Sequence, residues 1–264
     1  MFSFGIASAK GVRQTMEDEH LIYHFDDHIT LFGVFDGHGG GEVSKLIKSE
    51  LPSFLSKYLI QANLKDIENT KQLLTVAVIL FDQYLHSIYK SSRAGSTLLF
   101  VIYAHGILYV VNLGDSRAIL FNNAGTILLE TVDHKPANPS ETQRIQSVGA
   151  GVIFGRINGS IAVSRALGDF VEGLKCKGDE YLGVKSPLSP VPDVYALKLP
   201  RDEKLTLVLA CDGLWDRYKS EEVASEIASS RDMTLNEIAE KIVSKAINER
   251  KTSDNVTVMI VQFN

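Results

Sequence analysis

Acidic side chains stand at the ends of apolar runs in this sequence of 264 residues. The four clearest cases are Asp36 after 31–35, Asp115 after 109–113, Asp212 after 205–211 and Asp254 before 256–261. Taken alone, an Asp-Gly pair, as at Asp36 and Asp212, favours a hairpin turn, and that alternative stays open for each. A continuous apolar run is nevertheless typical of a strand buried on both faces, so we expect these carboxylates at the rim of a core. An unpaired charge there costs on the order of several kcal/mol.

A hard divalent cation would offset the cost of burying these carboxylates. The acidic residues are not accompanied by a cluster of histidines and cysteines, so the pattern indicates oxygen-only coordination. Such coordination suits Mg²⁺ or Mn²⁺ and argues against a thiolate zinc site. Two such ions about 3.5–4 Å apart can activate a water molecule and hold phosphoryl oxygens during in-line attack. The acidic residues therefore predict hydrolytic phosphate chemistry.

Two further residues could act on a phosphate group. Arg13 lies four residues before Glu17, and its planar guanidinium could bind phosphate oxygens in a bidentate manner. His38 lies two residues after Asp36 on a glycine-rich turn, and its imidazole could protonate a leaving alkoxide. An ordinary surface arginine and a solvated loop histidine are the alternatives when each residue is considered alone.

The elements that must position these residues indicate an α+β fold. Runs rich in Val, Ile, Leu, Phe and Tyr predict strands at 20–25, 29–35, 97–103, 107–113, 116–121, 126–131, 160–163, 193–198, 204–211 and 255–263. Apolar residues three and four apart predict helices at about 41–60, 69–90, 139–148, 220–229 and 234–249. The helices come in blocks rather than alternating with strands. No linker divides the chain, so we expect one domain over 1–264, with an irregular surface flap at about 170–192.

Composition and charge exclude several classes of function. The formal net charge is −5, so a broad basic field that would attract nucleic acid or an anionic membrane is not expected. Cys176 and Cys211 have no metal-type spacing, and neither a signal peptide nor a membrane-spanning run is apparent. We therefore expect a reduced, intracellular location, cytoplasmic or nuclear, and a monomer.

An ordered set of motifs extends this interpretation over nearly the whole chain. The motifs are Arg13–His20, Val34–Gly40, Gly95–Thr97, Asn112–Ala118, Asp133–Pro136, Arg156–Gly159, Val163–Asp169, Ala210–Asp216 and Ser253–Val258. In this order they resemble the metal-dependent serine/threonine protein phosphatases of type 2C, the PPM family. The resemblance implies an α-β-β-α sandwich, in which two stacked antiparallel sheets are flanked by antiparallel helices. It also implies hydrolysis of phosphoserine and phosphothreonine in phosphoprotein substrates. Because carboxylates cluster and neither cysteine lies in a phosphate-binding loop motif, we expect this hydrolysis to proceed without a covalent intermediate.

The resemblance further implies a role for each residue of the site. Asp36 would bridge two Mg²⁺ or Mn²⁺ ions, Gly37 would supply a backbone carbonyl, and Glu17, Asp212 and Asp254 would complete the coordination. Asp18 would accept hydrogen bonds from water on the metals. Arg13 would hold the phosphate, His38 would be the general acid, and Arg156 would line the peptide side of the cleft. Asp115 and Asp216 match a weaker third metal site, although a turn residue is the alternative for Asp115.

We assign no chemistry to several other motif residues, and two rival functions stay open. We interpret 133–135, Arg165 and Asp169 as turn caps and ion pairs of the scaffold. The turn before Asp254 lacks the glycine that is common in the family. A pseudophosphatase that serves as a binding module would lack a ligand or the arginine. A dimetal phosphodiesterase or nuclease should show a basic track for the polymer backbone, which the negative charge disfavours.

Overall fold

The computed structural model describes residues 2–90, 92–171, 174, 186–200, 202–230 and 232–263. Most of the predicted flap at 170–192, including Cys176, lies outside these residues. The strands are β1 (Phe2–Ala9), β2 (Glu19–His24), β3 (Ile29–Phe35), β4 (Gly37–His38), β5 (Gly95–Ser96), β6 (Leu98–Ala104), β7 (Ile107–Leu113), β8 (Arg117–Asn122), β9 (Ile127–Glu130), β10 (Val152–Ile153), β11 (Arg156–Ile157), β12 (Leu167–Gly168), β13 (Asp193–Lys198), β14 (Leu205–Ala210) and β15 (Val256–Phe263). The helices are α1 (Glu42–Leu59), α2 (Ile67–Ile88), α3 (Pro139–Ser147), α4 (Asp212–Trp215), α5 (Ser220–Ser229) and α6 (Leu235–Asn248).

Two five-stranded sheets form the centre of the fold. Their strand orders are β1-β15-β14-β8-β9 and β13-β7-β6-β3-β2, and neighbouring strands are antiparallel throughout. A small third sheet has the order β12-β5-β4, and β10 pairs with β11 in a separate hairpin.

Alternating side chains place a core on each side of both sheets. Phe32 of β3 and Leu207 of β14 belong to one buried cluster between the sheets. On the outer face of β3, Leu31 packs in a cluster with residues of α1 and α2. On the outer face of β14, Val208 packs in a cluster with residues of α5 and α6. Each such buried side chain contributes about 1.5–3 kcal/mol relative to exposure. The predicted α+β class and the α-β-β-α sandwich are thereby confirmed.

Local sequence signals account for the positions where two outer helices, α2 and α6, begin. Asp66 accepts a hydrogen bond from the backbone N–H of Asn69 at the start of α2, at 3.2 Å. Thr234 and Glu237 form a reciprocal capping box at the start of α6. The apolar face of α6, including Ile238 and Ile242, then lies in the outer core. The five predicted helices begin and end within a few residues of α1, α2, α3, α5 and α6, whereas the short helix α4 was not predicted.

Two longer strand assignments need correction, and the five two-residue strands β4, β5, β10, β11 and β12 were not predicted. The apolar run at 160–163 is not a strand, because only Ile161 makes an isolated bridge, with Ile157, and the surrounding residues turn. Conversely, β1 was not predicted, although it pairs with β15 along its full length, from Phe2 with Phe263 to Ala9 with Val256. Among the described helices, none combines the length and apolarity that crossing a bilayer requires.

Candidate active site

A cleft of about 650 Å³ opens where strands of both central sheets begin or end. The predicted site residues that line it are Arg13, Glu17, Asp36, Gly37, His38, Asp115, Arg156, Asp212, Asp216 and Asp254. Asp18 lies behind this lining and is buried. The structure thus brings together residues from distant parts of the chain.

Asp36 directly follows β3, and Thr97 forms hydrogen bonds with both its backbone N–H and its backbone carbonyl. Its N–H donates to the Thr97 hydroxyl at 3.1 Å, and its carbonyl accepts from the Thr97 N–H at 2.9 Å. The N–H of Gly37 donates to the Glu17 carbonyl at 3.2 Å. A Cβ at Gly37 would approach that carbonyl to 2.5 Å, so only glycine permits this contact. The Asp36-Gly37 pair therefore leads into β4 and does not form a hairpin turn.

Asp212 is the first residue of α4, which begins directly after β14. A Cβ at Gly213 would lie 1.8 Å from the carbonyl oxygen of Asn255. This close approach packs the start of α4 against the turn that carries Asp254. The Asp212-Gly213 pair is therefore a helix start, and the hairpin alternative is wrong here as well.

Four aspartates form the acidic floor of the cleft: Asp36, Asp115 and Asp212 in its lining, and Asp18 behind it. Burial and mutual repulsion oppose the ionisation of their carboxyl groups. Burial raises the pKa of Asp212 to about 8, and the charges of Asp115 and Asp216 add to this effect. Burial likewise raises the pKa of Asp36 well above its usual range, with repulsion from Asp18 and Asp212. The pKa values of Asp18 and Asp115 are each raised to about 6, again chiefly by burial. A cation bound among these groups would remove the repulsion.

Glu17 and Asp18 form hydrogen bonds with Thr257 of β15 and with Asn255, the residue just before that strand. The Thr257 hydroxyl donates to one oxygen of Asp18 at 2.7 Å, whereas the other oxygen, Oδ1, is buried without a hydrogen-bond partner. The N–H of Glu17 donates to the side-chain oxygen of Asn255 at 2.9 Å. Asn255 also donates to the backbone carbonyls of Lys10 and Thr15. Sequence reasoning gave Asn255 no role, although it ties the 10–17 segment to the start of β15.

The described donors fit a hard cation rather than a soft one. Asp18, Asp36 and Cys211 have potential ligand atoms within 4.8 Å of one another. Burial raises the pKa of the Cys211 thiol well above its usual range, and its sulfur accepts from the Thr257 N–H at 3.2 Å. The thiol is therefore protonated and packed in the core. The remaining donors are carboxylate oxygens, one of them unpartnered, which suits Mg²⁺ or Mn²⁺.

Basic side chains frame the mouth of the cleft. Arg13 donates through Nη2 to Asp254 and through Nε to the Ser253 carbonyl. Arg156 is exposed on β11, and Arg93 lines the same cavity.

Lys135 also lies in the cleft, where its Nζ donates to Asp216 at 3.0 Å. This contact is an ion pair, as the scaffold interpretation states, but its partner is a residue of the cleft. The other two residues of the 133–135 segment do form scaffold contacts, since Asp133 pairs with Arg117 and His134 with Asp193.

His38 has a buried acidic partner. Its Nε2 lies 2.7 Å from Oδ2 of Asp169, whose side chain is fully buried. Burial lowers the pKa of His38, but the hydrogen bond and charge of Asp169 outweigh it and hold that pKa above its ordinary value. Asp169 does form an ion pair, as the scaffold interpretation states, but the pair is with a residue of the cleft. The contact spans 131 positions, so no local sequence signal could reveal it.

Comparison with known proteins agrees with this arrangement. The family model described as "Protein phosphatase 2C" matches residues 2–256. Human protein phosphatase 1B is 33% identical over 98% of this chain, which spans 57% of that protein's length. Human protein phosphatase 1A is 31% identical, and the chain spans 70% of it. The crystal structure of serine-threonine phosphatase 2C from Toxoplasma gondii superposes with a TM-score of 0.78 at 25% identity, covering 100% of this chain and 95% of that one.

A match over nearly the whole chain leaves little of the sequence outside the family pattern. The matched span contains Arg13, the acidic floor and the pair formed by His38 and Asp169. The structural likeness likewise extends over the whole length of this chain. The chain therefore belongs to the protein phosphatase 2C family.

Proposed function

We propose that this protein hydrolyses phosphoserine and phosphothreonine in phosphoproteins, by direct attack of water that two divalent cations activate. The observation that carries the proposal is the acidic floor of the cleft, where the half-buried carboxyl groups of Asp36 and Asp212 have raised pKa values and share the cavity with Arg13. Family membership supports the same reaction class.

The residues that would hold two Mg²⁺ or Mn²⁺ ions are Glu17, Asp36, Gly37 through its carbonyl, Asp212 and Asp254. Asp115 and Asp216 would hold a weaker third ion together with Asp212. When bound, such ions polarise phosphoryl oxygens and lower the pKa of water. Asp18 would orient the water molecules of the site, because its Oδ1 has no partner within the protein.

Arg13 would bind the phosphate of the substrate. Its guanidinium has five N–H donors, and the contacts to Asp254 and Ser253 use Nη2 and Nε. The remaining N–H groups can bind phosphate oxygens while Arg13 stays beside the acidic floor. Arg156, which lines the same cavity, would contact the peptide chain of the substrate.

His38 would donate a proton to the departing serine or threonine oxygen. Its Nε2 bonds to Asp169, so Nδ1 is the nitrogen left to give up the proton. Asp169 stabilises the protonated ring and fixes its orientation, which prepares His38 for this role.

Direct attack by water requires that no side chain forms a phosphoenzyme. Among the described residues that line the cleft there is no cysteine, and Cys211 is buried as a thiol.

The same proposal includes a phosphoprotein as the binding partner, a monomeric protein and a cytoplasmic or nuclear location. The alternative hypothesis of a nuclease is not favoured, because the acidic residues at the floor of the cleft would repel the phosphates of a polymer backbone.

A rapid-quench experiment tests this chemistry. The protein is mixed with a phosphothreonine peptide labelled with ³²P in the presence of Mn²⁺, and both free phosphate and labelled protein are followed through the first turnover. We expect free phosphate without labelled protein, equal activity in Cys211→Ser, and no activity in excess chelator. Labelled protein at the first turnover, or full activity in chelator, would contradict the proposal.

A further inference from the structure

The hairpin formed by β10 and β11 carries an unusual residue at its tip. Phe154 and Gly155 form the two-residue loop between the paired residues Ile153 and Arg156. Their φ angles are 50° and 74°, and a type I′ turn requires positive φ at both loop positions. Asn, Asp and Gly favour this backbone, whereas a bulky aromatic residue is strained in it.

A second hairpin of the same design contains a better suited residue. His105 and Gly106 form the two-residue loop between β6 and β7, with φ angles of 52° and 81°. The His105 ring lies 5.5 Å from the His28 ring and therefore contacts its own protein. Phe154, in contrast, is 98% exposed. Neither turn formation nor packing explains a phenylalanine at position 154.

The position of Phe154 in the molecule offers an explanation. Phe154 lines the same cavity as Asp36, Asp212 and Arg13. The apolar residues at 161–163 line that cavity as well and extend the wall beside the hairpin. A phosphoprotein whose phosphate lies at the acidic floor therefore has its neighbouring residues within reach of the exposed ring.

The chemistry of this wall favours an apolar partner for the ring. An apolar side chain packed against Phe154 removes both surfaces from water, and this gain is available only when substrate is bound. A cationic side chain could also stack on the ring. However, Arg156 directly follows the two-residue loop that carries Phe154, and its charge would repel a second cation at the ring.

We propose that Phe154 is a specificity-determining residue that contacts an apolar side chain next to the phosphorylated residue of the substrate. The inference rests on the proposed phosphatase function and adds to it a preference among phosphoproteins. The strained backbone at position 154 holds the ring out over the cleft, where it is free to meet the substrate.

A peptide panel with matched variants tests this preference. The host is a phosphothreonine peptide with glycine at two positions on each side, and Leu or Lys replaces one glycine at a time. Phe154→Asn removes the ring while suiting the positive φ, so the hairpin keeps its turn. His105→Asn makes the same kind of change in the matched hairpin, and His105 is not among the described residues that line the cleft. The readout is the ratio of kcat/KM for each peptide to that of the host, measured with Mn²⁺.

We expect the wild-type protein and His105→Asn to favour Leu about tenfold at one or more positions. In Phe154→Asn the same ratio should fall close to one. A Leu preference that survives in Phe154→Asn, a preference for Lys instead, or equal rates on all peptides in the wild type would overturn this inference alone. Failure of the wild type to release phosphate from any peptide would overturn the proposed function and this inference with it.

Discussion

Replacing Glu141 with glutamine should destabilise the fold by about 3 kcal/mol at pH 7, by removing a buried charge that pairs with two arginines. Glu141 lies on α3, and its side chain is only 4% exposed. Its carboxylate accepts hydrogen bonds from Arg144, at 3.0 and 3.2 Å, and from Arg165, at 2.7 and 3.1 Å. The two arginines also donate to backbone carbonyls at 186–191, so the charge of Glu141 holds three segments together.

The magnitude follows from the pKa of Glu141. Burial alone would raise this pKa, but the hydrogen bond and charge of Arg165, with the charge of Arg144, lower it from 4.5 to about 2. At about 1.4 kcal/mol per pH unit, that difference corresponds to about 3 kcal/mol. Because the pKa is lower in the folded state, the contribution is complete above about pH 4.5 and is lost as the pH falls toward 2.

Urea unfolding of the wild type and Glu141→Gln between pH 7 and pH 2.5 measures this contribution. The difference in unfolding free energy should shrink as the pH falls. Glu222→Gln is a matched control, because the hydrogen bond from Arg250 also lowers the pKa of Glu222 to about 2 but its side chain is 43% exposed. Solvent screens that pair, so its loss should matter far less. Equal effects of the two substitutions, or a difference that does not change with pH, would refute this reasoning.

Three further predictions concern the cleft. Asp36→Ala should abolish turnover and should lose tight Mn²⁺ binding in calorimetry. Asp115→Ala should keep tight Mn²⁺ binding and lose only part of the activity. An equal loss of Mn²⁺ binding in both variants would contradict the assignment of the metal ligands. His38→Gln should slow hydrolysis of phosphothreonine peptides by about 10²–10⁴-fold and of aryl phosphates much less, since a phenolate hardly needs a proton to leave. An equal loss on both substrates would indicate a structural role for His38. Asp169→Asn should also slow hydrolysis of phosphothreonine peptides more than hydrolysis of aryl phosphates, but by a smaller factor than His38→Gln does. An equal loss of rate on both substrates would show that Asp169 does not act by positioning His38.

Strands with continuous apolar runs could be predicted from the sequence because burial on both faces leaves an unmistakable pattern. β3 and β14 are of this kind, and they carry Asp36 and Asp212 at their ends. β1 gave no such signal, since glycine, alanine and serine interrupt its apolar residues. It is a strand because β15 supplies its hydrogen-bond partners from the other end of the chain. The apolar run at 160–163 misled for the opposite reason, because it lines the cleft and lacks a neighbouring strand along its length.

Site residues with a distinctive motif were also within reach of sequence reasoning, and the structure places them together. Contacts between motifs were not, because they depend on how the two sheets and their loops meet. The hydrogen bonds from His38 to Asp169 and from Lys135 to Asp216 cross 131 and 81 positions. The metal-ligand roles themselves, the single domain and the flap stay predictions.

The dependence of phosphate release on Mn²⁺ tests the central claim most directly. Protein freed of metal by chelation is titrated with Mn²⁺, and the rate of phosphate release from a phosphothreonine peptide is measured at each concentration. The acidic floor predicts no turnover without metal and a rate that rises to saturation as Mn²⁺ is added. A metal-free protein that releases phosphate at the saturated rate, or a protein that stays inactive at every Mn²⁺ concentration, would contradict the claim.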